Sequence, residues 1–343
     1  METRTEIESL GEFGLIEHLT KNFETHNAST VLGVGDDAAI IDHFGKQTVI
    51  STDLLIEGIH FDLMYTPLKH LGYKSVIVNL SDIYAMNATP TQITMSIAFS
   101  TRFSVEALDE FYEGVFAACN KYGVDLVGGD TTSSQKGFII SVTARGEVTP
   151  EKYVQRSTAK TGDLICVSGF VGGAFLGLTL MEREKKIYLD NPKIQPDLEG
   201  EDYIVGRLLK PEARRDIIDF FATNNILPTS MMDVSDGISS EVLHLCKQSN
   251  LGCRVYEEKL PVHEQARKAA FKFGLDPTTC ALSGGEDYEL IFTLKQEEYD
   301  KITLNEEISV IGYMTEIEEG CKILTKGGNT FTITAQGWNA FTK

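Results

Sequence analysis

The sequence contains one tryptophan, no C-x-x-C pair and no apolar run near the roughly 18 residues a membrane-spanning helix requires. Positive charge is also scarce. Lysine and arginine number 31 against 50 aspartates and glutamates, a formal net charge of -19. Nucleic acids and anionic membranes need a basic surface, so neither is expected as a partner. The first residues, METRTEIESLGEFGLIEHL, lack the basic start and apolar core of a secretory signal. The six cysteines (Cys119, Cys166, Cys246, Cys253, Cys280 and Cys321) are spread along the chain. They read as reduced core thiols of a cytoplasmic protein rather than as a zinc or redox motif. A Walker loop, the protein-kinase motif set, a G-x-S-x-G elbow and zinc-spaced histidines are all missing.

The 343 residues are long for one core and predict two units, 1–150 and 151–343, the boundary falling in the polar stretch 149–162. Ile93, Met95, Ile97 and Phe99 alternate with Thr94, Ser96, Ala98 and Ser100, the period-two pattern of a half-buried strand. Strands are also expected over 47–61, 138–148 and 163–168, and near 290–293 and 310–313. The spacing predicts helices over 68–86 after Pro67, over 105–122 ending near Gly123, and over 238–248. Residues 182–202, charged and carrying two prolines, read as a mobile surface segment. The chain reads as α/β or α+β, in two parts.

Aspartates recur after apolar strands. Gly33-Val34-Gly35-Asp36-Asp37-Ala38 fits a G-x-G-x-x-A dinucleotide fingerprint in form. The residues that follow look extended, however, and two acids would face a pyrophosphate. A metal-binding turn or an ordinary Asp turn fits better. Asp53 lies within the apolar run around Ser51-Thr52-Asp53-Leu54, where a carboxylate must be paired or take backbone hydrogen bonds. Asp82 shares a helical face with Leu71, Ser75, Val78 and Met86, so it needs a metal or a local partner such as Asn79 or Ser81. Gly128-Gly129-Asp130 and Asp233-Val234-Ser235-Asp236 repeat the format, although Asp236 or Ser239 also suits a helix cap. Magnesium favours dispersed carboxylates together with water and substrate phosphates. Arg156 and Lys160 are either nucleotide-binding cations or solvated linker charges. Gly169 to Gly177 is either a phosphate cradle or close packing. Leu282-Ser283-Gly284-Gly285-Glu286-Asp287 reads locally as a capped turn.

Eight ordered segments, GEFGLIEHL, GVGDDAAI, STDLLIEGIHF, NLSDIYAM, VGGDTT, RSTAKTGD, DVSDGISS and LSGGEDYELIFT, resemble thiamine-monophosphate kinases of the aminoimidazole ribonucleotide synthetase-like superfamily. The resemblance implies the two-domain fold of that superfamily, α/β in the first domain and α+β in the second, and a homodimer formed through N-terminal strands. It also implies ATP-dependent conversion of thiamine monophosphate to thiamine diphosphate, the last step of that synthesis, with several magnesium ions. By resemblance, Asp36, Ser51, Thr52, Asp53, Asp82, Asp130, Asp233 and Asp236 are magnesium positions. Gly129, Asp130, Arg156 and Ser235 are ATP positions, and His60, Glu286 and Trp338 are substrate positions. Thr158 stands where many relatives have glycine. No residue stands out as a covalent nucleophile, so metal-assisted, direct in-line transfer is expected. The alternatives are another ATP-using member of the superfamily and a non-catalytic acidic scaffold.

Overall fold

A computed structural model describes residues 30–32, 36–43, 45–100 and 103–335. The first six strands are β1 (Thr30–Leu32), β2 (Ala39–His43), β3 (Lys46–Ile56), β4 (Thr89–Phe99), β5 (Asp125–Ser133) and β6 (Ile139–Val148). They form one sheet in the order β1-β2-β3-β6-β4-β5, antiparallel except for β4 with β5. In β4, Ile93, Met95 and Ile97 are buried while Thr94 and Ser96 are exposed, as the alternation predicts. Helices α1 (Leu68–Ala85) and α2 (Val105–Tyr122) cover the inner face. The bounds of α2 follow from its ends: the Ser104 side chain accepts from the Ala107 N–H, and Gly123 takes a left-handed φ of 69°. The 47–61 strand stops at Ile56, because Gly58 turns the chain back with a φ of 80°.

The second sheet contains β7 (Leu164–Ser168), β8 (Ser230–Asp233), β9 (Gly252–Tyr256), β10 (Leu290–Leu294), β11 (Ile308–Thr315), β12 (Cys321–Leu324) and β13 (Thr330–Thr332). Its order is β13-β12-β9-β11-β7-β10-β8. Helices α3 (Gly173–Asp190), α4 (Asp202–Leu209), α5 (Arg215–Thr223), α6 (Ile238–Ser249), α7 (Glu264–Lys272) and α8 (Pro277–Ser283) accompany it.

All five residues of β10 are buried, because both faces of this sheet are covered. Leu290, Phe292 and Leu294 join a core with α1, α2 and α5, while Ile291 joins the core beneath α3, α6, α7 and α8. A helical layer therefore separates the two sheets, and the sheets change over between Val148 and Leu164.

Two expectations need correction. Helix α1 has no single buried stripe: residues 71–81 are all buried, since it lies between both sheets. Residues 182–190 are the last turns of α3, with Glu184 buried, so only 191–201 is irregular; the charges that suggested a loop form the solvated side of that helix. Among the described residues, no helix is long and apolar enough to cross a membrane.

Candidate active site

Asp53 on β3, Asp82 on α1 and Asp233 at the end of β8 meet where the two sheets face each other across α1. Carboxylate oxygens of Asp37, Asp82 and Asp233 all lie within 4.8 Å of one another. Serines orient two of these acids: the Ser51 hydroxyl donates to Asp82, and Ser81 donates to Asp233 at 2.8 Å. Asn79 fixes the strand beside them by accepting from the Asp53 N–H at 3.0 Å while donating to the Ser75 carbonyl. The local partners expected for Asp82 are thus otherwise engaged, Asn79 with Asp53 and Ser81 with Asp233.

Burial and mutual repulsion dominate the electrostatics here. Burial, then the Asp233 charge, pushes the Asp53 carboxyl from the ordinary 3.8 up to about 6. Burial, then Asp53 and Asp233, raises Asp82 well above its ordinary value. Asp233 is raised by burial, with Ser81 and then Arg156 opposing. Carboxylates this close hold a proton or require a cation. Octahedral magnesium bonds of about 2.1 Å place oxygens about 3–4 Å apart, so the spacing of Asp37, Asp82 and Asp233 fits after small adjustments.

Asp36 and Asp37 flank Arg156. The Arg156 backbone N–H donates to Asp36 at 2.9 Å, and its Nε donates to Asp37 at 3.0 Å. The guanidinium Nη2 also pairs with Asp37. With only 12% of its side chain exposed, Arg156 is an interior cation, whereas Lys160 is exposed. Burial raises Asp36 to about 6 against the opposing Arg156 charge.

The loop after β8 is held by two contacts. Glu241, in the first turn of α6, accepts from the backbone N–H groups of Ser235 and Asp236 at 3.1 and 2.7 Å. Gly237 is the N-cap of α6, so the cap position itself is held by neither Asp236 nor Ser239. On the other side, Glu286 N–H donates to the Ser235 carbonyl at 2.7 Å and Tyr288 N–H to the Val234 carbonyl at 2.9 Å. A Cβ on Gly285 would sit 2.1 Å from the Ser235 carbonyl oxygen, so glycine is required there. The 282–290 segment is thus a buttress for the Asp233–Asp236 loop rather than an isolated turn.

A cleft of about 730 Å³ opens onto this cluster; Asp53, His60, Lys74, Ser235, Asp236 and Glu286 line it. Its wall is tied by Lys185 to Asp62 at 2.6 Å and by the Tyr65 hydroxyl to Glu182 at 2.7 Å. His60 Nδ1 accepts from the Ile56 N–H at 3.0 Å, which places the imidazole proton on Nε2. Burial lowers the His60 pKa, with Glu286 opposing, so the neutral ring is a hydrogen-bond donor. Lys74, almost fully buried, donates to Glu286 at 2.9 Å and to the Leu208 carbonyl at 3.1 Å.

Several expected site residues stand apart from this cluster. The Thr52 side chain lies on the opposite face of β3 from Ser51 and Asp53 and donates to the Val142 carbonyl at 3.0 Å. Asp130 pairs in register with Ser96, Ser96 with Ser141, and Ser141 with Leu54. Three strand spacings, about 14 Å, therefore separate it from β3, on the outer face of the sheet. Gly129 lies beside it on the exposed edge strand β5. In Gly169 to Gly177, the Gly172 and Ala174 N–H groups at the start of α3 are taken by the buried Asp287 carboxylate, to which both donate. Trp338 lies outside the described residues.

Sequence reasoning did not single out Asp37, Lys74 or Glu241. Asp37 was visible as the neighbour of Asp36, but only the folded turn decides which acid faces Asp82. Lys74 sits in an apolar helical stretch, a signal in itself. Glu241 lies where a first-turn acid reaches back to the preceding amides, and its Oε2 is buried without a hydrogen-bond partner.

A carboxyl raised by burial retains a proton that the unfolded chain has lost. Asp53 therefore costs stability progressively as pH rises from about 4 to 6, and fully above that. In metal-free protein, Asp53→Asn should melt several degrees above wild type at pH 7.5 and converge with it near pH 4.5. Millimolar magnesium should close that gap at pH 7.5. Scanning calorimetry checks this; a variant that melts lower at both pH values would contradict the repulsion.

The family model described as AIR synthase related protein, N-terminal domain, matches residues 35–148. Thiamine-monophosphate kinase of Aquifex aeolicus (strain VF5) is 33% identical over 98% of this chain and 99% of its own. The Bacillus subtilis (strain 168) enzyme of the same name is 32% identical over 97% and 100%. A solved structure described as AaThiL complexed with AMPPCP and TMP superposes with a TM-score of 0.83 at 30% identity, covering 98% of this chain and 99% of that one. The hydrogenase maturation protein HypE in complex with ATP shares the fold alone, with a TM-score of 0.69 at 20% identity over 96% and 98%. With identity above 30% along nearly the whole of both chains, this sequence belongs to the thiamine-monophosphate kinase family and has the aminoimidazole ribonucleotide synthetase-like fold.

Proposed function

We infer that this chain transfers the γ-phosphoryl group of ATP to thiamine monophosphate, giving ADP and thiamine diphosphate. One observation carries the reading: a cleft opening onto clustered carboxylates lies in a fold that matches, end to end, a structure described as AaThiL complexed with AMPPCP and TMP.

The roles assigned to individual residues are proposals. Asp37, Asp53, Asp82, Asp233 and Asp236 hold magnesium, with Ser51 and Ser81 aiming two of the carboxylates. Magnesium there would screen the repulsion between two anionic reactants and stabilise charge on the transferring group. Arg156 and Ser235 face the nucleotide phosphates. The cleft suits an acceptor carrying a cationic ring and an anionic tail: Asp62, Glu182 and Glu286 supply negative charge, Lys74 and Lys185 supply positive charge, and Phe61 and Tyr288 supply apolar walls. His60 offers its Nε2 proton to the acceptor and holds it in place. Trp338 is assigned to the substrate side by resemblance alone. The acceptor oxygen is already ionised, so no strong base is needed. It bonds to the γ-phosphorus in line as the bond from that phosphorus to the β–γ bridging oxygen breaks.

We also propose the division of labour: residues 1–150 supply metal and ATP positions and the dimer contact, and residues 151–343 complete the site with Asp233, Ser235, Asp236 and Glu286. The dimer reading is supported by the outer face of the first sheet. There Leu54 and Val127 are 49% and 60% exposed, and among the described residues β5 is the outermost strand, carrying Gly129 and Asp130. In such a dimer those two residues serve the nucleotide of the second copy. A cytoplasmic location fits the six free cysteines.

In a coupled ADP assay, thiamine monophosphate should be the accepted substrate over thiamine and aminoimidazole precursors. Asp53→Asn should lose at least about 10²–10³-fold in kcat with the fold intact, while His60→Ala should act mainly on KM; near-normal turnover in Asp53→Asn would refute the metal assignment. Chiral γ-phosphate should transfer with inversion, and retained configuration would exclude a single displacement. Sedimentation should give a dimer, weakened by Val127→Glu; a monomer at micromolar concentration would overturn that reading.

A further inference from the structure

Away from the cleft, Cys246 on α6, Cys253 on β9 and Cys321 on β12 converge, with all three sulfurs within 4.8 Å of one another. Cys253 and Cys321 are register partners on adjacent parallel strands, and Cys246 reaches them from the helix packed above. The first two are buried and Cys321 is half-buried, so the cluster has one opening to solvent. The surroundings favour thiolate at Cys321, whereas hydrogen bonding and burial push the Cys246 thiol up and the Cys253 thiol is also raised, so those two lose their protons only as an ion binds. The backbone N–H of Lys322 lies against the Cys253 sulfur and that of Cys253 against the Cys321 sulfur. Hydrogen bonds from Cys246, then Cys253, pull the Cys321 thiol below the ordinary range, and the neighbouring Arg254 charge acts in the same direction. Arg254 itself is anchored to the Cys253 and Gly320 carbonyls at 2.9 and 3.0 Å.

We propose that Cys246, Cys253 and Cys321 form a binding site for a thiophilic d10 cation, of which Zn²⁺ is the test case, with the fourth position open to solvent at Cys321. Zn–S bonds of about 2.3 Å in tetrahedral geometry separate sulfurs by about 3.8 Å, so the site closes with shifts of about an ångström or less. Each sulfur gives up its proton to solvent as the ion binds, and Arg254 offsets the net negative charge of three thiolates on a divalent ion. A disulfide would use two of the three sulfurs and leave the third without a role; a metal uses all three. Helix α6 begins at the loop bearing Ser235 and Asp236, and Glu241, which holds that loop, lies about 7.5 Å along the helix axis from Cys246. A bound ion therefore clamps to the second sheet the helix on which the catalytic loop rests.

The test uses reduced, chelator-treated full-length protein titrated with Cd²⁺ and Zn²⁺. A thiolate-to-Cd²⁺ charge-transfer band should saturate at one equivalent, and one equivalent of Zn²⁺ should displace it. The band should vanish in Cys246→Ser and in Cys321→Ser but persist in Cys119→Ser. Zn²⁺ should slow iodoacetamide alkylation of wild-type Cys321 at least about tenfold, a readout that needs no variant to fold. Neither readout depends on phosphoryl transfer, and carboxylates give no such band. The proposal fails if no band appears at one equivalent, or if the band survives loss of Cys246 and Cys321. It fails equally if protein purified without reductant shows two fewer free thiols than the six and recovers them on reduction, which would make the cluster a disulfide.

Discussion

Repulsion among the buried carboxylates of Asp37, Asp53, Asp82 and Asp233 is the constraint around which the rest of the molecule is arranged. Four acids at one junction destabilise a folded chain unless protons or cations balance them. The fold supplies partial compensation from Arg156 and directed hydrogen bonds from Ser51 and Ser81. The remainder falls to protons held on the raised carboxyls or to the metal proposed above. Asp53, Asp82 and Asp233 sit on β3, α1 and β8, so none of the three can move aside without disturbing a strand or a helix, whereas Asp37 comes from the turn before β2. The energetic cost of bringing these acids together and the divalent-cation binding proposed for them therefore have the same origin.

The second sheet serves that junction. Its β8 edge delivers Asp233, and the Gly285–Tyr288 segment leading into β10 backs the Asp233–Asp236 loop from behind. Glu241 holds the same loop from α6, and Asp287 ties the start of α3 to the same buttress. Because α1 carries Asp82 and Ser81 and is enclosed by both sheets, Asp82 and the hydroxyl that aims Asp233 are positioned by the shared core. The cleft beside it is more adaptable, closed on one wall by two exchangeable side-chain contacts.

Local chemistry made much of the fold readable from sequence. The alternation at Ile93, Met95 and Ile97, and the Ser104 and Gly123 ends of α2, are signals written within a few residues. The conjunction of Asp53, Asp82 and Asp233 was readable only as a repeated format, since nothing local says that residues 180 apart in sequence meet. What escaped depended on long-range geometry. Asp130 looks like the other acids in sequence, yet its register on β5 puts it three strands away on the outer face. Whether Asp36 or Asp37 faces the cluster depends on a turn of one residue. The three cysteines carried no spacing motif at all, because two strands and a helix, not a knuckle, bring them together.

The most direct test of the central claim is anomalous diffraction from crystals soaked with Mn²⁺ as a magnesium surrogate. The account predicts a strong anomalous peak bounded by Asp53, Asp82 and Asp233, with the Asp37 carboxylate turned toward it. Peaks confined to surface acids, with that junction empty, would contradict it.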